Sequence, residues 1–176
     1  MKKNGFVAPV VVLTVICLVV SGLLAYVNSI TSPIIVQAAA EAEEEAKLEV
    51  LPDADSFTTI EDLSNLPDTV DSVHVADNGA GIVVILSGAG YGGTMQIIVG
   101  ITSDGTVSGT KVLEHSETAG LGARVAGEDF RNQFVGVDSN LDGVSVISGS
   151  SISSNCFINL VKDAFTVFDS VQGGGN

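Results

Sequence analysis

The apolar and polar positions divide this chain into an N-terminal apolar segment and a longer part with mixed patterning. The segment Phe6–Tyr26 is an almost unbroken apolar run, FVAPVVVLTVICLVVSGLLAY. As a helix it would be about 31 Å long, close to the thickness of the hydrocarbon core of a bilayer. No charged residue or histidine occurs between positions 3 and 41. The pattern predicts a transmembrane anchor over residues 1–32, with Pro33 expected to end or kink its helix.

The pattern changes twice after the apolar run. Residues 33–50 are rich in Ala and Glu and predict a helical stalk. From residue 51 onward, β-branched runs are separated by turns containing Gly or Asp, as in antiparallel strands joined by hairpins. The predicted strands are 70–75, 81–87, 95–101, 107–113 and 144–147, and the predicted helices are 127–134 and 153–171. We therefore predict an α+β domain over residues 51–172, with an antiparallel sheet and flanking helices, and a flexible tail at 173–176.

Charge is distributed unevenly along the chain. All 21 acidic residues lie from Glu41 onward, whereas Lys2 and Lys3 precede the apolar run. This asymmetry predicts an inner-membrane protein with a cytoplasmic N-terminus, a lipid-embedded anchor and an extracytoplasmic domain. A cleavable signal peptide ending near Ala38–Ala40 is the alternative, although the apolar run is long for one. The acidic domain lacks the clustered basic residues that nucleic-acid binding requires, and the two cysteines and two histidines have no metal-site spacing.

A hydroxyl-dense turn leads directly into the last predicted helix. Its candidate site residues are Ser148, Gly149, Ser150, Ser151, Ser153 and Ser154. Glycine and short polar side chains let the backbone bend and expose its N–H groups, and a helix start adds unpaired donors. Such a turn can hold a phosphate, and any of its hydroxyls could carry a phosphoester. A simple capped helix start is the other interpretation.

A second unusual segment follows the strand predicted at 107–113. Its candidate residues are Glu117, Thr118, Gly120, Leu121 and Gly122. Glycines without side chains allow a backbone to approach a flat ligand closely. A surface loop with a polar tip is an equally good interpretation of the composition alone.

Three segments together resemble the FMN-binding G subunit of the Rnf ion-translocating complex, which is related to the C subunit of the sodium-pumping NADH:quinone reductase. They are GYGGTMQIIVGITSDGTVSG at 90–109, VLEHSETAGLG at 112–122 and VISGSSISS at 146–154. The resemblance implies an electron-relay subunit without catalytic residues of its own. It implies FMN attached through its phosphate to the residue that closes a Ser-Gly-Ala-Thr motif, here Ser151. The implied partners are the other integral and peripheral subunits of the complex and a flavin transferase.

The sequence departs from the family pattern at several positions. Ser151 stands where the family has Thr, Ala119 replaces a Pro, and Ser150 replaces an Ala and offers a second hydroxyl. Ser145 stands where the family usually has an acidic residue, with Asp142 a little upstream. Two other interpretations remain open: a quinone-reductase C subunit or stand-alone FMN carrier, and an anchored scaffold or ligand-binding domain without a cofactor.

Overall fold

The structure is a computed structural model that describes residues 7–173, so the predictions for residues 1–6 and 174–176 lie outside it. Helix α1 is Val7–Val50, and the chain forms two compact units that meet between Ala42 and Glu43. By length and composition, α1 is long and apolar enough to cross a membrane. Of the two outcomes expected at Pro33, an end of the helix is wrong, because α1 continues past this residue. A proline removes one N–H donor, and the Ala-rich and Glu-rich segment that follows favours helix strongly enough to continue.

The second unit is built on one antiparallel sheet of five strands in the order β1-β2-β3-β4-β5. The strands are β1 Phe57–Ile60, β2 Val70–Ala76, β3 Gly81–Ala89, β4 Thr94–Thr102 and β5 Val107–His115. Consecutive strands pair throughout, so the sheet is a meander. The sequence predicted β2 to β5, and the α+β class with an antiparallel sheet is confirmed. Strand β1 was missed because its four residues, FTTI, carry only two apolar positions.

One face of the sheet is covered by helix α3, Ser151–Gly173. Alternate residues of β3, namely Ile82, Val84 and Leu86, belong to the same apolar core as the buried side of α3. All six α3 side chains that the helical period predicts as the core face are buried: Phe157, Leu160, Val161, Ala164, Phe165 and Phe168. Val167 is buried in addition. Because α3 is held by this core, the position of its N-terminus relative to the sheet is fixed.

The opposite face of the sheet is covered by the end of α1. Val83 and Ile85 of β3 share a second apolar core with Ala46, Val50 and Leu51. Strand β3 is therefore buried on both faces, which explains its continuous apolar run rather than an alternating one. The backbone of Val50 lies so close that a Cβ added to Gly100 would fall 2.3 Å from its carbonyl oxygen.

The segment between β5 and α3 holds a 3₁₀ helix, Gly122–Ala126, and the short helix α2, Glu128–Arg131. The prediction of a strand over 144–147 was wrong. The backbone there makes hydrogen bonds to side chains instead of a neighbouring strand, since Ser145 N–H donates to Gln133 and Ile147 N–H donates to Ser154 Oγ. Positive φ angles at Leu141 and Gly143 also turn the chain just before this segment.

Candidate functional site

A cavity of about 430 Å³ lies where three segments of the second unit meet. Its lining comes from the β3–β4 turn, the loop after β5 and the turn into α3. The lining residues are Tyr91, Thr118, Leu121, Gly122, Gly149, Ser150, Ser151, Ile152 and Ser153. The volume falls within the range of small-molecule and cofactor sites. The two segments singled out in the sequence therefore form walls of one cavity.

The turn into α3 is fixed by hydrogen bonds at both of its ends. Ser150 N–H donates to the carbonyl of Ile147 at 3.0 Å, and Ile147 N–H donates to Ser154 Oγ at 3.1 Å. Gly149 has a φ of +81°, a conformation that glycine adopts without strain. Ser154 N–H donates to the Ser150 carbonyl at 2.9 Å, which makes Ser150 the N-cap of α3.

This geometry places the free donors of the helix against the cavity. The first three N–H groups after an N-cap have no partner within the helix, and here they belong to Ser151, Ile152 and Ser153. All three residues line the cavity. We expected α3 to begin at Ser153, with free N–H donors at residues 153–156. In the structure α3 begins at Ser151, so the free donors lie two residues closer to the N-terminus than expected.

The serines of the turn differ sharply in accessibility. Ser151 is exposed, whereas Ser150, Ser153 and Ser154 are 6%, 1% and 0% exposed. Ser148 is also exposed but does not line the cavity. Ser151 is therefore the accessible hydroxyl that both faces the cavity and lies at the positive end of a long helix.

Glu117 contributes to the site indirectly. Its side chain is buried, and its two oxygens accept hydrogen bonds from the N–H groups of Tyr91, at 2.9 Å, and Gly92, at 3.2 Å. A Cβ on Gly90 or Gly122 would lie 1.8 Å or 2.2 Å from a Glu117 carboxylate oxygen. The carboxylate thus lies between two walls of the cavity and links them, although it is not itself part of the lining.

The sequence did not predict two of the lining residues, Tyr91 and Ile152. They are 72% and 56% exposed, and together with Leu121, at 53%, they give the cavity an apolar rim. An isoleucine on the otherwise polar first turn of α3 was an available signal for this surface. Of the other predicted site residues, Ser154 accepts a hydrogen bond from Ile147 N–H and so holds the turn into α3. Gly120 does not line the cavity and has a positive φ.

Neutral donors dominate the electrostatics of the cavity. No Lys or Arg occurs among the described residues that line it. Arg124 instead lines a neighbouring cavity of about 290 Å³ together with Asp129. Burial raises the pKa of the nearby Cys156 thiol, and the negative charge of Glu117 raises it further. The thiol therefore stays protonated, which suits a packing role better than a redox role.

The site can be compared with known proteins. The FMN-binding domain family matches residues 90–166, a range that contains all the cavity-lining residues. The cavity is thus part of an FMN-binding domain, and its free helix N–H groups and accessible hydroxyls suit the phosphate of that cofactor.

Relatives extend the comparison to the whole chain. The G subunit of the ion-translocating oxidoreductase complex of Methanosarcina acetivorans is 31% identical over 93% of this chain and 95% of the relative. The G subunit of the proton-translocating ferredoxin:NAD(+) oxidoreductase complex of Clostridium ljungdahlii is 28% identical over 98% and 96%. The Na(+)-translocating counterpart of Acetobacterium woodii is 26% identical over 92% and 90%. The chain belongs to the family of the G subunits of ion-translocating oxidoreductase complexes.

Proposed function

We propose that this protein is the electron-relay subunit of a membrane ferredoxin:NAD oxidoreductase complex that translocates sodium ions or protons, with FMN bound covalently to Ser151. The observation that carries the covalent link is the position of Ser151. Ser151 is exposed, lines the cavity and is the first residue of α3. A phosphoester there would place the remaining phosphate oxygens beside unpaired helix donors.

Each wall of the cavity has a role in this proposal. The N–H groups of Ile152 and Ser153 bind phosphate oxygens, and the ester bond replaces the contact that a basic side chain would make. Tyr91, Leu121 and the Ile152 side chain offer apolar surface to the isoalloxazine ring, while Thr118 offers a hydroxyl at the edge of the cavity. When bound, FMN supplies reversible electron transfer, and the protein holds and orients it.

The N-terminal helix determines where the FMN domain lies relative to the membrane. Helix α1 crosses the membrane with the N-terminus in the cytoplasm, so that it contacts lipid and the integral subunits, and the FMN domain lies outside the membrane. A flavin transferase moves the FMN group of FAD to Ser151: the Ser151 oxygen forms a bond to phosphorus, the pyrophosphate P–O bond of FAD breaks, and AMP and the hydroxyl proton leave. The names of the relatives, all G subunits of ion-translocating complexes, support a role as one subunit among several.

Intact mass of the full-length chain, produced together with a flavin transferase, tests the covalent link. We expect the mass of one FMN group on the unaltered chain and none on Ser151→Ala, which lacks the ester oxygen. Ser151→Thr keeps a hydroxyl at the same position and should retain the flavin, as should Ser150→Ala. A colourless protein of unmodified mass from a host with an active transferase would contradict the proposal.

A further inference from the structure

Ser150 carries a buried hydroxyl without a hydrogen-bond partner. Within residues 7–173, the only buried side-chain polar atoms lacking a partner are Ser150 Oγ and Thr110 Oγ1. A buried hydroxyl without a partner costs on the order of 1–3 kcal/mol, so such groups are uncommon in proteins. The unpaired Ser150 hydroxyl therefore indicates that a bound ligand supplies its hydrogen-bond partner.

The position of Ser150 limits what that partner can be. The residue lines the cavity between Gly149 and Ser151 and is 6% exposed. Both of its backbone groups are engaged, with Ile147 at 3.0 Å and Ser154 at 2.9 Å, so the backbone is held and the hydroxyl alone is free. An N-cap serine commonly accepts a hydrogen bond from its own helix, but this one makes no such bond.

We infer that the Ser150 hydroxyl, after rotation about the Cα–Cβ bond toward the cavity, donates a hydrogen bond to a phosphate oxygen of the FMN esterified to Ser151, which makes Ser150 a positioning residue and not the attachment site. This inference rests on the function proposed above. A phosphodiester keeps one negative charge and can only accept hydrogen bonds, so a hydroxyl donor to it makes a charge-assisted bond.

Two further observations favour this role for Ser150. No basic side chain lines the cavity within the described residues, so neutral donors have to balance the phosphate charge. Accessibility also separates the two adjacent serines: Ser150 Oγ is shielded from solvent, whereas Ser151 is exposed and can reach an enzyme that modifies it.

A comparison of thermal unfolding in two preparations of the full-length chain in detergent tests the inference. One preparation is made with a flavin transferase and one without. In the unmodified protein, we expect Ser150→Ala to leave the unfolding midpoint unchanged or to raise it, since the hydroxyl has no partner. In the flavinylated protein, the same substitution should lower the midpoint by about 3–6 °C because a charged hydrogen bond is lost.

Thr110→Val is the matched control, because it removes the other buried hydroxyl that lacks a partner, on β5 and outside the cavity lining. Its effect on the midpoint should be the same in both preparations. The phosphorus-31 resonance of the flavinylated chain should move with Ser150→Ala and stay in place with Thr110→Val. If the alanine variant does not fold, Ser150→Gly removes the same hydroxyl at an N-cap, where glycine is tolerated.

Equal shifts of the midpoint in the two preparations, or an unchanged phosphorus resonance, would overturn the inference. Peptide mass mapping separates its failure from that of the proposed function. FMN on Ser151 with no difference between the preparations overturns only the role of Ser150. FMN retained in Ser151→Ala and lost in Ser150→Ala places the ester on Ser150 and overturns both.

Discussion

Two walls of the cavity depend on one buried carboxylate, that of Glu117. It accepts hydrogen bonds from the backbone of Tyr91 and Gly92 in the β3–β4 turn, and it lies against Gly122 in the loop after β5. The two glycines that flank it, Gly90 and Gly122, have no room for a side chain because the carboxylate fills that space. The shape of the cavity is thus set partly by a residue that does not line it.

Glu117→Gln should destabilise the second unit by about 2 kcal/mol. The amide keeps one acceptor oxygen, but its NH₂ group would face a backbone N–H, which leaves that donor unpaired. Denaturant unfolding of the full-length chain in detergent measures the effect. Glu114→Gln is the control, since Glu114 is exposed and should change the free energy of unfolding little. Equal free energies for the two variants would show that the link between the walls contributes nothing.

At the scale of elements, the end of α1 and strand β2 share a polar cluster in which Lys47 and His74 are buried. Lys47 is 4% exposed, and its ammonium group lies 3.1 Å from Glu43 and 2.8 Å from Glu44. His74 on β2 is 5% exposed and lies 3.7 Å from the same Glu43 oxygen. Its ring nitrogens also lie within hydrogen-bond distance of hydroxyls on either side, those of Thr59 and Ser72.

The cluster makes the stability of this unit depend on pH. Burial lowers the pKa of His74 below its usual value of 6.5, the positive charge of Lys47 lowers it further, and Glu43 and Glu44 oppose the shift. Between the folded pKa of His74 and pH 6.5, the imidazole therefore binds a proton in the unfolded chain but not in the folded chain. We expect the free energy of unfolding to fall as the pH decreases from about 6.5 to the folded pKa of His74 and to level off below it.

His74→Gln keeps a polar side chain but removes the titration, so it should flatten this part of the pH profile. Denaturant unfolding of both proteins at a series of pH values between about 7.5 and about 5 provides the measurement, because histidine changes charge within about this range. A profile of the same slope in the variant would assign the pH dependence to other groups.

The sequence predicted most of the elements but not how all of them pack. Strands β2 to β5 and the buried side of α3 followed from β-branched runs and the helical period. The pattern VSVI at 144–147 resembles a strand, but its backbone N–H groups donate to the side chains of Gln133 and Ser154. These partners lie close only in the folded structure, so the local sequence does not indicate them. The predicted start of α3 at Ser153 was two residues late for a similar reason. Each of the five serines at 148–154 can cap a helix, and the hydrogen bonds of the turn make Ser150 the N-cap.

At the scale of the whole molecule, the cavity joins segments that are far apart in sequence. The loop at 117–122 and the turn at 148–154 were predicted as site segments, and residues of both line the cavity. The Gly-rich turn at 88–93 was not predicted as a site segment, and only the antiparallel pairing of β3 with β4 brings Tyr91 to the same cavity. Spatial proximity of this kind leaves no periodic signal in the sequence.

The distribution of charge along the chain sets the expected direction of membrane insertion. Lys2 and Lys3 precede the apolar segment, and the first basic residue after it is Lys47. The structure adds that Lys47 is buried and paired with two carboxylates, so it presents no free positive charge beyond the span. The positive-inside rule therefore predicts that the N-terminal side of the span, with Lys2 and Lys3, lies in the cytoplasm.

Single-cysteine variants test this orientation. In a background with Cys17→Ser and Cys156→Ser, Ser139→Cys places a thiol at an exposed position of the FMN domain, and Asn4→Cys places one before the apolar run. With spheroplasts and a membrane-impermeant maleimide, we expect labelling of the first variant and not of the second. After lysis both should react, and the cysteine-free background should not. The reverse labelling in intact spheroplasts would place the domain, and its flavin, in the cytoplasm.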